Sequence, residues 1–554
     1  MLEDLIDSSC SRIKSDLVIK NVNILSVITG EIKQGDIAIK DGIITGTYDS
    51  YEGNIEIDGT GLFAVPGFID CHLHIESSLL TPFEFERCVL PKGTTTAVCD
   101  PHELSNVVGE NAIKYFIDSA SKLNMDLRVG LSSCVPATHM ETSGFSVSFD
   151  ELIKYKNHEK VTGLAEFMNY PGVLFKDPEV MKKIKNFDHI DGHAPLLSGK
   201  DLNAYITAGI SNDHETTNIE EAKEKIEKGM HVFMREGTLC KDLKNLYKLV
   251  NEYNSMFLSL CTDDRNPLEI EEEGHLDNSI RMMIKGGIAP HLAYRVASLS
   301  GAYAFGFKDR GIIAPSKRAD IVLLSDLENV KIEKVISNGK IVEEKLFQKA
   351  NKKDYEFALN SVKMKKVSED IFKITDEKAL KHVIGIIPDK ILTNHLIVDD
   401  ITKEENIAKI CVFHRHGKNN NVGKAYVKGF EFKKENLAIA STIGHDSHNL
   451  CVVGNSDHDM MIAVNGIIEM GGGFILVSNG EIIASLELPI GGLMSELNHE
   501  QVAVKLKTLK TKAKELITGT SDIFLQMGFL PLAVIPSLKL TDMGLVDVDK
   551  FELL

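Results

Sequence analysis

The sequence predicts an α/β protein: a (β/α)8 TIM-type barrel, a flanking β-sandwich domain and a C-terminal α+β domain. Eight short apolar segments alternate with amphipathic segments between residues 63 and 305, as expected of eight strand-helix units. Nearly every apolar segment ends in a polar side chain capable of chemistry. In a barrel these ends converge on one face, whereas the rival architecture, a doubly wound open sheet, would spread them along a line.

The flanking domain is predicted from two β-rich stretches on either side of the barrel. Residues 16–60 contain short strand-like runs separated by Asp-Gly turns, and residues 311–342 show the same pattern. We expect residues 1–65 and 306–350 to form one composite domain around a barrel at residues 66–305. The alternative is two unrelated β segments.

The barrel strands are expected in eight segments, with helices between them, of which three are given as examples. The strand segments are FAVPGFIDCHLH, TTTAVCD, DLRVGLSSCV, VTGLAEF, HIDGHAP, AGISNDH, HVFMREG and FLSLCTDD, and the helical ones ENAIKYFIDSASK, GKDLNAYIT and NIEEAKEKIEKG. Residues 351–554 are expected to form the α+β domain. Its strand-like runs include IAKICVFHRHG, NLAIAST and AVNGIIEMGGGFILVSNGEIIASLELPIGG, and HEQVAVKLKTLKTKAKELI is expected to be helical.

Composition argues against nucleic-acid and membrane partners. The formal net charge is -18, from 62 Lys+Arg against 80 Asp+Glu, so phosphate groups would be repelled. No secretory signal and no membrane-spanning run is recognisable. The nine cysteines form no C-x-x-C pair, and several lie in apolar runs. These features predict reduced, buried thiols in a cytoplasmic protein.

Metal ligands are predicted at the strand ends. His72 and His74 are two residues apart on one strand, so both imidazoles point to the same side. Four further candidates end later strands; together they supply four imidazoles and two carboxylates, the donor types of a divalent metal pair. The full set is His72, His74, Glu166, His193, His214 and Asp263. The alternative is that each is an independent polar residue of the barrel rim.

This arrangement resembles the amidohydrolase superfamily, and more closely its adenine deaminases. The superfamily places H-x-H on strand one, an anionic ligand on strand four, histidines on strands five and six, and an aspartate on strand eight. The more specific likeness lies in PGFIDCHLHIESSLLTP, DPHE, DGHAP, DHE, MREG, CTDDRNP and GHDSHN, and it extends over nearly the whole chain.

The resemblance implies hydrolytic deamination of adenine to hypoxanthine and ammonia, in purine salvage. Many two-metal members bridge their ions with a carboxylated lysine, but GLAEF has Glu166 instead, as in the adenine deaminases. The implied cofactor is a binuclear divalent centre, manganese foremost, with iron or zinc as alternatives. We further expect a homodimer.

Two residues are assigned catalytic roles. Asp263 is expected beside the attacking water, where it takes a proton and passes it to the leaving amine. Glu76, two residues beyond His74, is expected on the same face as the histidines and to place a proton on a purine nitrogen. Its alternative role is to orient a ligand histidine. Regular alternation would direct Asp264 away from Asp263.

Weaker candidates for base binding surround this set. They are Ser77, His102, Glu103, Arg235, Glu236, Asp264, His445, Asp446 and His448. Only one of Arg235 and Glu236 should point inward, because they are neighbours on a strand. Ser77 and Ser78 are alternatively helix caps. His445, Asp446, His448 and Asn449 either contribute a metal or substrate contact or form a polar turn.

Several other enzyme classes lack support. His74-Ile75-Glu76 matches the first half of the zinc nucleoside-deaminase motif, but the required C-x-x-C is missing. No H-E-x-x-H or Walker motif is present. The remaining alternatives are another amidohydrolase, such as a cyclic amidase or an amino-sugar deacetylase, and a non-catalytic barrel relative, which would be expected to lack ligands.

Overall fold

The computed structural model describes residues 2–554. The chain begins with helix α1 and five strands that flank the barrel. Their bounds are α1 Leu2–Ser9, β1 Ser15–Leu25, β2 Ile32–Lys40, β3 Ile43–Thr47, β4 Gly53–Asp58 and β5 Phe63–Pro66. The predicted segment FAVPGFIDCHLH therefore contains two strands, because the chain leaves the flanking sheet at Gly67 before entering the barrel.

Each of the eight predicted barrel segments contains a strand. They are β6 Phe68–Leu73, β7 Thr94–Cys99, β8 Asp126–Leu131, β9 Val161–Phe167, β10 Ile190–Gly192, β11 Asn212–Asp213, β12 His231–Arg235 and β13 Leu258–Cys261. The strands are buried almost throughout, as expected for parallel strands covered by helices.

The eight strands run parallel in two hydrogen-bonded sheets. One sheet has the order β10-β9-β8-β7-β6 and the other the order β11-β12-β13. At one junction Ser211 N donates to Ile190 O over 3.2 Å, and at the other Asp263 N donates to His72 O over 3.0 Å. The strands thus follow one another around a ring, and their carboxyl ends face the same side.

Thirteen helices follow or connect these strands. They are α2 Pro82–Val89, α3 His102–Val108, α4 Glu110–Ala120, α5 Phe149–Leu152, α6 Tyr170–Leu174, α7 Pro178–Ile184, α8 Gly199–Thr207, α9 Ile219–Glu227, α10 Leu243–Leu246, α11 Pro267–Glu272, α12 Leu276–Lys285, α13 Pro290–Val296 and α14 Leu299–Ala304. The three helical segments named from the sequence are confirmed as α4, α8 and α9. In α4, Ile113, Phe116 and Ile117 are buried at helical spacing, which packs one face against the strands.

Three strands after the barrel complete the flanking sheet. They are β14 Ile321–Asp326, β15 Lys331–Ser337 and β16 Lys340–Ile341, and the sheet order is β16-β15-β14-β5-β1-β2-β3, with β4 beside β1. The two β-rich stretches therefore do pair with each other. We expected a sandwich of two sheets, whereas hydrogen bonds connect all eight strands into one sheet. Ile24, Ile44 and Ile321, from different strands, share one apolar cluster, so this sheet curls around its own core.

The C-terminal region contains helices on an eight-stranded sheet. Its elements are α15 Lys352–Tyr355, β17 His382–Ile386, β18 Thr393–Ile397, β19 Ile407–Phe413, β20 Val422–Lys428, β21 Glu431–Phe432, β22 Leu437–Ser441, β23 Leu450–Gly454, α16 Asp457–Met470, β24 Gly473–Ser478, β25 Glu481–Glu487, α17 His499–Leu516, β26 Ile517–Thr518, α18 Ile523–Gly528, β27 Leu538–Thr541, β28 Gly544–Asp547 and β29 Glu552–Leu553. The main sheet has the order β18-β17-β20-β19-β23-β22-β24-β25.

Helix α16 lies where the sequence predicts a strand. The run AVNGIIEM was expected to be strand-like, but it lies in α16. Ser456 caps the start of the helix by accepting from Asp459 N, and Gly471 ends it with a φ of 77°. Met460, Ala463 and Ile467 are buried at helical spacing, so packing against the sheet decides the structure.

The C-terminal region lies against the carboxyl ends of the barrel strands. Thr142, in the loop after β8, donates its N–H to Asp542 over 2.8 Å, and Thr541 Oγ1 donates to Met140 O over 2.6 Å. This contact places the loop at residues 444–449 above the barrel. Among residues 2–554, no helix is long and apolar enough to cross a membrane.

Candidate metal centre and active-site pocket

The H-x-H pair occupies the end of the first barrel strand. His72 lies in β6 and His74 directly follows it, and their Nε2 atoms are 3.3 Å apart. The Nδ1 atom of His74 lies 2.9 Å from the carbonyl oxygen of Asp100. This contact orients the ring and leaves Nε2 facing the cluster, which is how a metal-binding histidine is commonly held.

Glu166 stands at the centre of the cluster, near the end of β9. Its Oε1 atom lies 3.3 Å from His74 Nε2 and 3.8 Å from His72 Nε2. Its Oε2 atom lies 2.6 Å from His193 Nδ1 and 3.4 Å from His214 Nε2. The two carboxylate oxygens therefore face two different groups of imidazoles, as a bridge between two ions requires.

Asp263 approaches the same histidines from the last barrel strand. Its Oδ1 atom lies 3.2 Å from His74 Nε2 and 3.7 Å from His72 Nε2. Burial by itself raises the pKa of this carboxyl group, but His74 and the Arg235 guanidinium hold the pKa well below its ordinary value. Asp263 is therefore an anion, the form needed for binding a cation.

Arg235 lines the pocket and holds Asp263 in place. Its Nη1 atom donates to Asp263 Oδ2 over 2.9 Å, and its Nη2 atom donates to Glu215 Oε2 over 3.2 Å and to Asp242 over 3.1 Å. All three carboxylates compete for one guanidinium. We therefore assign Arg235 to orienting Asp263, and the base contact expected from the sequence stays a prediction.

His102 and Asp100 join the metal cluster. His102 Nδ1 lies 3.3 Å from Glu166 Oε1 and 3.2 Å from Asp100 Oδ2. His74, Asp100, His102 and Glu166 form one group whose ligand atoms could surround a single ion. His102 was expected in the base-binding shell, and Asp100 was not singled out. The segment DPHE carried the signal, because it follows β7 in the way that the other ligands follow their strands.

The donor set suits divalent cations. The groups able to hold an ion include His72 with Glu166 and His214, and His72 with His74 and Asp263. Glu166 and Asp263 are buried anions, so the cluster needs positive charge. Without an ion, protonated imidazoles supply it: burial lowers the pKa of His214, but Glu166 and Asp263 raise it to about 9. Divalent ions would take over this role, so the residues fit a metal centre.

A pocket opens over the cluster, with a barrel wall and a C-terminal wall. Eleven of the predicted site residues line it: His74, His102, Glu103, Glu166, His193, His214, Arg235, Asp263, Asp264, His445 and Asp446. Met168, Glu215, Cys240, Ile391, Phe529, Leu532, Val534 and Ile535 complete the lining and were not predicted. The other predicted site residues do not line the pocket; they are His72, Glu76, Ser77, Glu236 and His448.

Glu76 does not share the face of the two histidines, contrary to expectation. The strand ends at Leu73, and Glu76 lies in a 3-10 helix, Ile75–Ser78, so strand alternation no longer applies. Its Oε1 atom accepts from Leu104 N over 3.1 Å. Burial and the nearby Glu103 carboxylate raise the pKa of Glu76 to about 8. Glu76 is therefore a buried, neutral carboxylic acid that accepts a hydrogen bond from the backbone of α3.

Asp264 faces the same pocket as Asp263, so the expected alternation fails here. Asp263 has a left-handed backbone with a φ of 55°, which turns the chain at the end of β13. Ser77 Oγ donates to Asp264 Oδ1 over 2.5 Å, so Ser77 positions Asp264 without lining the pocket itself. Burial and the neighbouring Asp263 charge raise the pKa of Asp264 to about 6.

Glu236 and Ser78 have structural surroundings. Arg235, the last residue of β12, lines the pocket and the adjacent Glu236 does not, which agrees with the expectation that only one of them points inward. Burial raises the pKa of Glu236 to about 7 against the opposing charge of Arg265. Ser78 Oγ donates to Ile75 O over 2.6 Å within the 3-10 helix. The capping role considered for Ser77 and Ser78 is wrong, because Thr81 caps the next helix, α2, by accepting from Glu84 N.

The loop GHDSHN forms part of the C-terminal wall. His445 stacks on Phe529, with ring centres 4.5 Å apart and planes at 6°. Asp446 Oδ1 lies 3.8 Å from His102 Nε2 across the boundary with the barrel. Asn449 donates to Thr142 O over 3.0 Å, a contact that fastens the loop. The loop is therefore more than a surface turn, because it closes the pocket.

Comparison with known proteins identifies the family. An amidohydrolase family model matches residues 63–342, and an adenine deaminase C-terminal domain model matches residues 390–552. The adenine deaminase of Brucella suis is 51% identical over 100% of this chain and 96% of its own length. The chain belongs to the adenine deaminase family.

Two further relatives show how uniform the likeness is. The adenine deaminase of Brucella anthropi is 52% identical over 100% of this chain and 99% of its own length. That of Gluconobacter oxydans is 53% identical over 96% of both chains. The similarity therefore includes the C-terminal wall of the pocket together with the barrel.

Proposed function

We propose that the chain catalyses the hydrolytic deamination of adenine, giving hypoxanthine and ammonia, in purine salvage. The observation that carries this proposal is the cluster of imidazoles around Glu166 and Asp263, at the base of a pocket closed by the C-terminal region. Relatives about half identical over the full chain are named adenine deaminases, which supports adenine as the substrate.

Two divalent ions bridged by Glu166 are the proposed cofactor, with manganese foremost and iron or zinc as alternatives. Glu166 Oε1 faces His72, His74 and His102, and its Oε2 faces His193 and His214. Such ions would lower the pKa of a bound water enough to make it a nucleophile at neutral pH. The manganese assignment rests on the family resemblance, since these donors suit several metals.

Asp263 is the proposed proton carrier of the reaction. Its Oδ2 atom is fixed by Arg235, and its Oδ1 atom faces the histidines. A carboxylate in this position takes a proton from the water that adds to C6 of adenine. It then delivers that proton to the exocyclic amine as the C–N bond breaks and ammonia leaves.

Asp264 is the proposed partner of a purine ring nitrogen, replacing Glu76 in that role. Addition of water at C6 moves the electron pair of the ring C=N bond onto the nitrogen, which takes the proton of the Asp264 carboxyl group. When ammonia leaves and the C6 carbonyl forms, the remaining hydroxyl proton at C6 returns to Asp264. Asp264 lines the pocket and is held by Ser77, whereas Glu76 is occupied with α3.

The C-terminal wall is the proposed basis of selectivity. Phe529, Leu532 and Ile535 place apolar surface opposite the polar barrel wall, so a flat bicyclic base contacts both. We expect adenine to be preferred over adenosine, because a ribose would need space beside the purine. Cytosine is expected to be a poor substrate, since a pyrimidine would be held loosely.

The test of this function is a comparison of substrates with the manganese-loaded protein. We expect ammonia release from adenine, and no ring opening of a hydantoin or deacetylation of an amino sugar phosphate. Turnover of either of these in place of adenine would reassign the chain to another amidohydrolase activity. Absence of bound metal together with absence of turnover would support the non-catalytic alternative.

The remaining proposals concern organisation. We propose the division into residues 1–65 with 306–350, 66–305 and 351–554, supported by the separate sheets of these regions. We also propose a cytoplasmic homodimer. All nine cysteines are free and most are buried, which suits a reducing compartment. Size-exclusion chromatography with light scattering would test the oligomeric state.

A further inference from the structure

A second cluster of ligand-type side chains lies beside the proposed binuclear centre. Glu103, from helix α3 of the barrel, meets His445 and His448, from the loop at residues 444–449 of the C-terminal region. One ligand atom from each of the three lies within 4.8 Å of the others, and all three residues are buried. These three residues are not among the histidines that contact Glu166, the centre of the first cluster.

The two oxygens of Glu103 face the two imidazoles separately. Glu103 Oε1 lies 3.0 Å from His445 Nδ1, and Oε2 lies 3.3 Å from His448 Nε2. These separations resemble those between Glu166 or Asp263 and His74 in the first cluster, 3.3 and 3.2 Å. Ligand atoms about 2 Å from a tetrahedral ion lie at similar distances from one another.

His448 supplies a second, independent observation. Its Nε2 atom is fully buried and has no hydrogen-bond partner, although a carboxylate oxygen is 3.3 Å away. A buried ring nitrogen without a partner carries an energetic cost that folded proteins usually avoid. An ion between the imidazole and the carboxylate would give this nitrogen its missing partner.

The charge around the cluster also favours a cation. Asp446 Oδ1 lies 4.0 Å from His445 Nδ1, and the carboxylates of Glu103 and Asp264 act on the same imidazole. Arg415, a buried cation of the C-terminal region, donates to the carbonyl oxygens of His448 and Gly491 and does not pair with these acids. Within residues 2–554, no Lys or Arg forms a salt bridge with these three carboxylates, so imidazoles alone face their charge.

We propose that Glu103, His445 and His448 form a mononuclear site for a zinc-type divalent cation, separate from the binuclear centre. Two imidazoles and one carboxylate are a common zinc donor set and leave a fourth position open. Glu103 and His445 line the pocket, so the open position faces the substrate space. The ion would fasten the C-terminal wall to the barrel, since its ligands come from both. This proposal goes beyond the proposed function and does not depend on adenine being the substrate.

Metal counting on purified protein tests the proposal directly. The protein is stripped with a chelator, loaded with Zn²⁺, freed of excess ion and analysed by plasma mass spectrometry. We expect three equivalents per chain in the wild type. His448→Ala and the more conservative Glu103→Gln should each bind one equivalent less.

Matched variants separate the two centres. His416→Ala removes an equally buried histidine whose Nε2 lies 2.8 Å from Ser447 O, beside the same loop, and it should retain all three equivalents. Glu166→Gln should lose metal equivalents from the binuclear centre and retain the third. When this variant is loaded with Co²⁺ in place of Zn²⁺, its absorption spectrum should be that of a single tetrahedral site. Two equivalents in the wild type, unchanged in Glu103→Gln and His448→Ala, would overturn the proposal while leaving the proposed function intact.

Discussion

The two walls of the pocket are specified by the chain in different ways. On the barrel wall each functional residue lies at or just beyond the end of a parallel strand, as His74, Glu166 and His214 do. The C-terminal wall consists of Ile391 and of residues from the loops near 445 and 530. These residues do not occupy equivalent positions at the ends of successive strands. The comparison suggests that the barrel determines the chemistry and the C-terminal wall the choice of base.

The largest effect is expected for the centre of the barrel wall. Glu166→Gln keeps the size of the side chain but removes the charge that faces two groups of histidines. Both ions of the binuclear centre should bind more weakly, and kcat/KM for adenine should fall beyond the roughly 10²–10⁴ typical of losing one proton-transfer group. Two ions at this centre and full turnover in Glu166→Gln would show that the bridge is assigned wrongly.

The next prediction compares neighbours on the barrel wall. Asp263→Asn should lower kcat by roughly 10²–10⁴ while metal is partly retained, because one oxygen ligand remains but the basicity is lost. Asp264→Asn should give a smaller loss, because the amide can still donate a hydrogen bond to a ring nitrogen. It should keep full metal content, since Asp264 is not one of the six proposed ligands. Measuring kcat and metal content in both variants distinguishes the roles, and the reverse order of effects would exchange the two assignments.

A smaller effect on selectivity is expected from the C-terminal wall. Phe529→Ala removes the ring that stacks on His445. An aromatic pair contributes about 0.5–1.5 kcal/mol beyond its buried area, so kcat/KM for adenine should fall roughly 10-fold, mainly through KM. The preference for adenine over adenosine should also decrease. A loss confined to kcat with unchanged selectivity would place Phe529 in the chemistry and contradict the division between the walls.

The smallest effect concerns the support of that wall. Lys539 is buried and donates to Ile391 O over 2.7 Å and to Phe529 O over 3.0 Å, both in pocket residues. Burial lowers the pKa of Lys539 to about 7, below the ordinary value of about 10.4. Between these two pH values the unfolded chain binds more protons than the folded one, so this lysine makes stability rise with pH.

The lysine prediction is tested by thermal unfolding of two variants. The melting temperature of the wild type should rise between pH 7 and pH 9 relative to that of Lys539→Met, which lacks the titrating group. Lys550→Met, a substitution at an exposed lysine, serves as the control and should follow the wild type. If the melting temperatures of the wild type and Lys539→Met change with pH in parallel, the pKa of Lys539 is not lowered in the folded protein.

The sequence predicted the barrel wall well because periodic structure fixes its positions. Eight strands were located, and the six proposed ligands lie together, since side chains at parallel strand ends must converge. Errors occurred where the periodicity stops. Glu76 follows the last residue of its strand, and Asp263 turns the chain through a left-handed conformation, so alternation failed for Glu76 and Asp264.

The C-terminal wall was only partly predictable. GHDSHN was recognised because it combines chemically capable residues, but Ile391, Phe529, Leu532 and Ile535 are apolar residues with no distinguishing pattern. Their approach to the pocket depends on packing between two regions far apart in sequence, such as the contact of Thr541 with Met140. Local sequence patterns do not encode contacts over such separations.

The central claim is that the barrel cluster holds divalent ions that support deamination of adenine. The most direct measurement is ammonia release from adenine by chelator-treated protein before and after loading with Mn²⁺. We expect no turnover by the stripped protein, and recovery that tracks the ions bound at the Glu166 centre. Turnover that survives complete metal removal, or a loaded protein that does not release ammonia from adenine, would contradict this account.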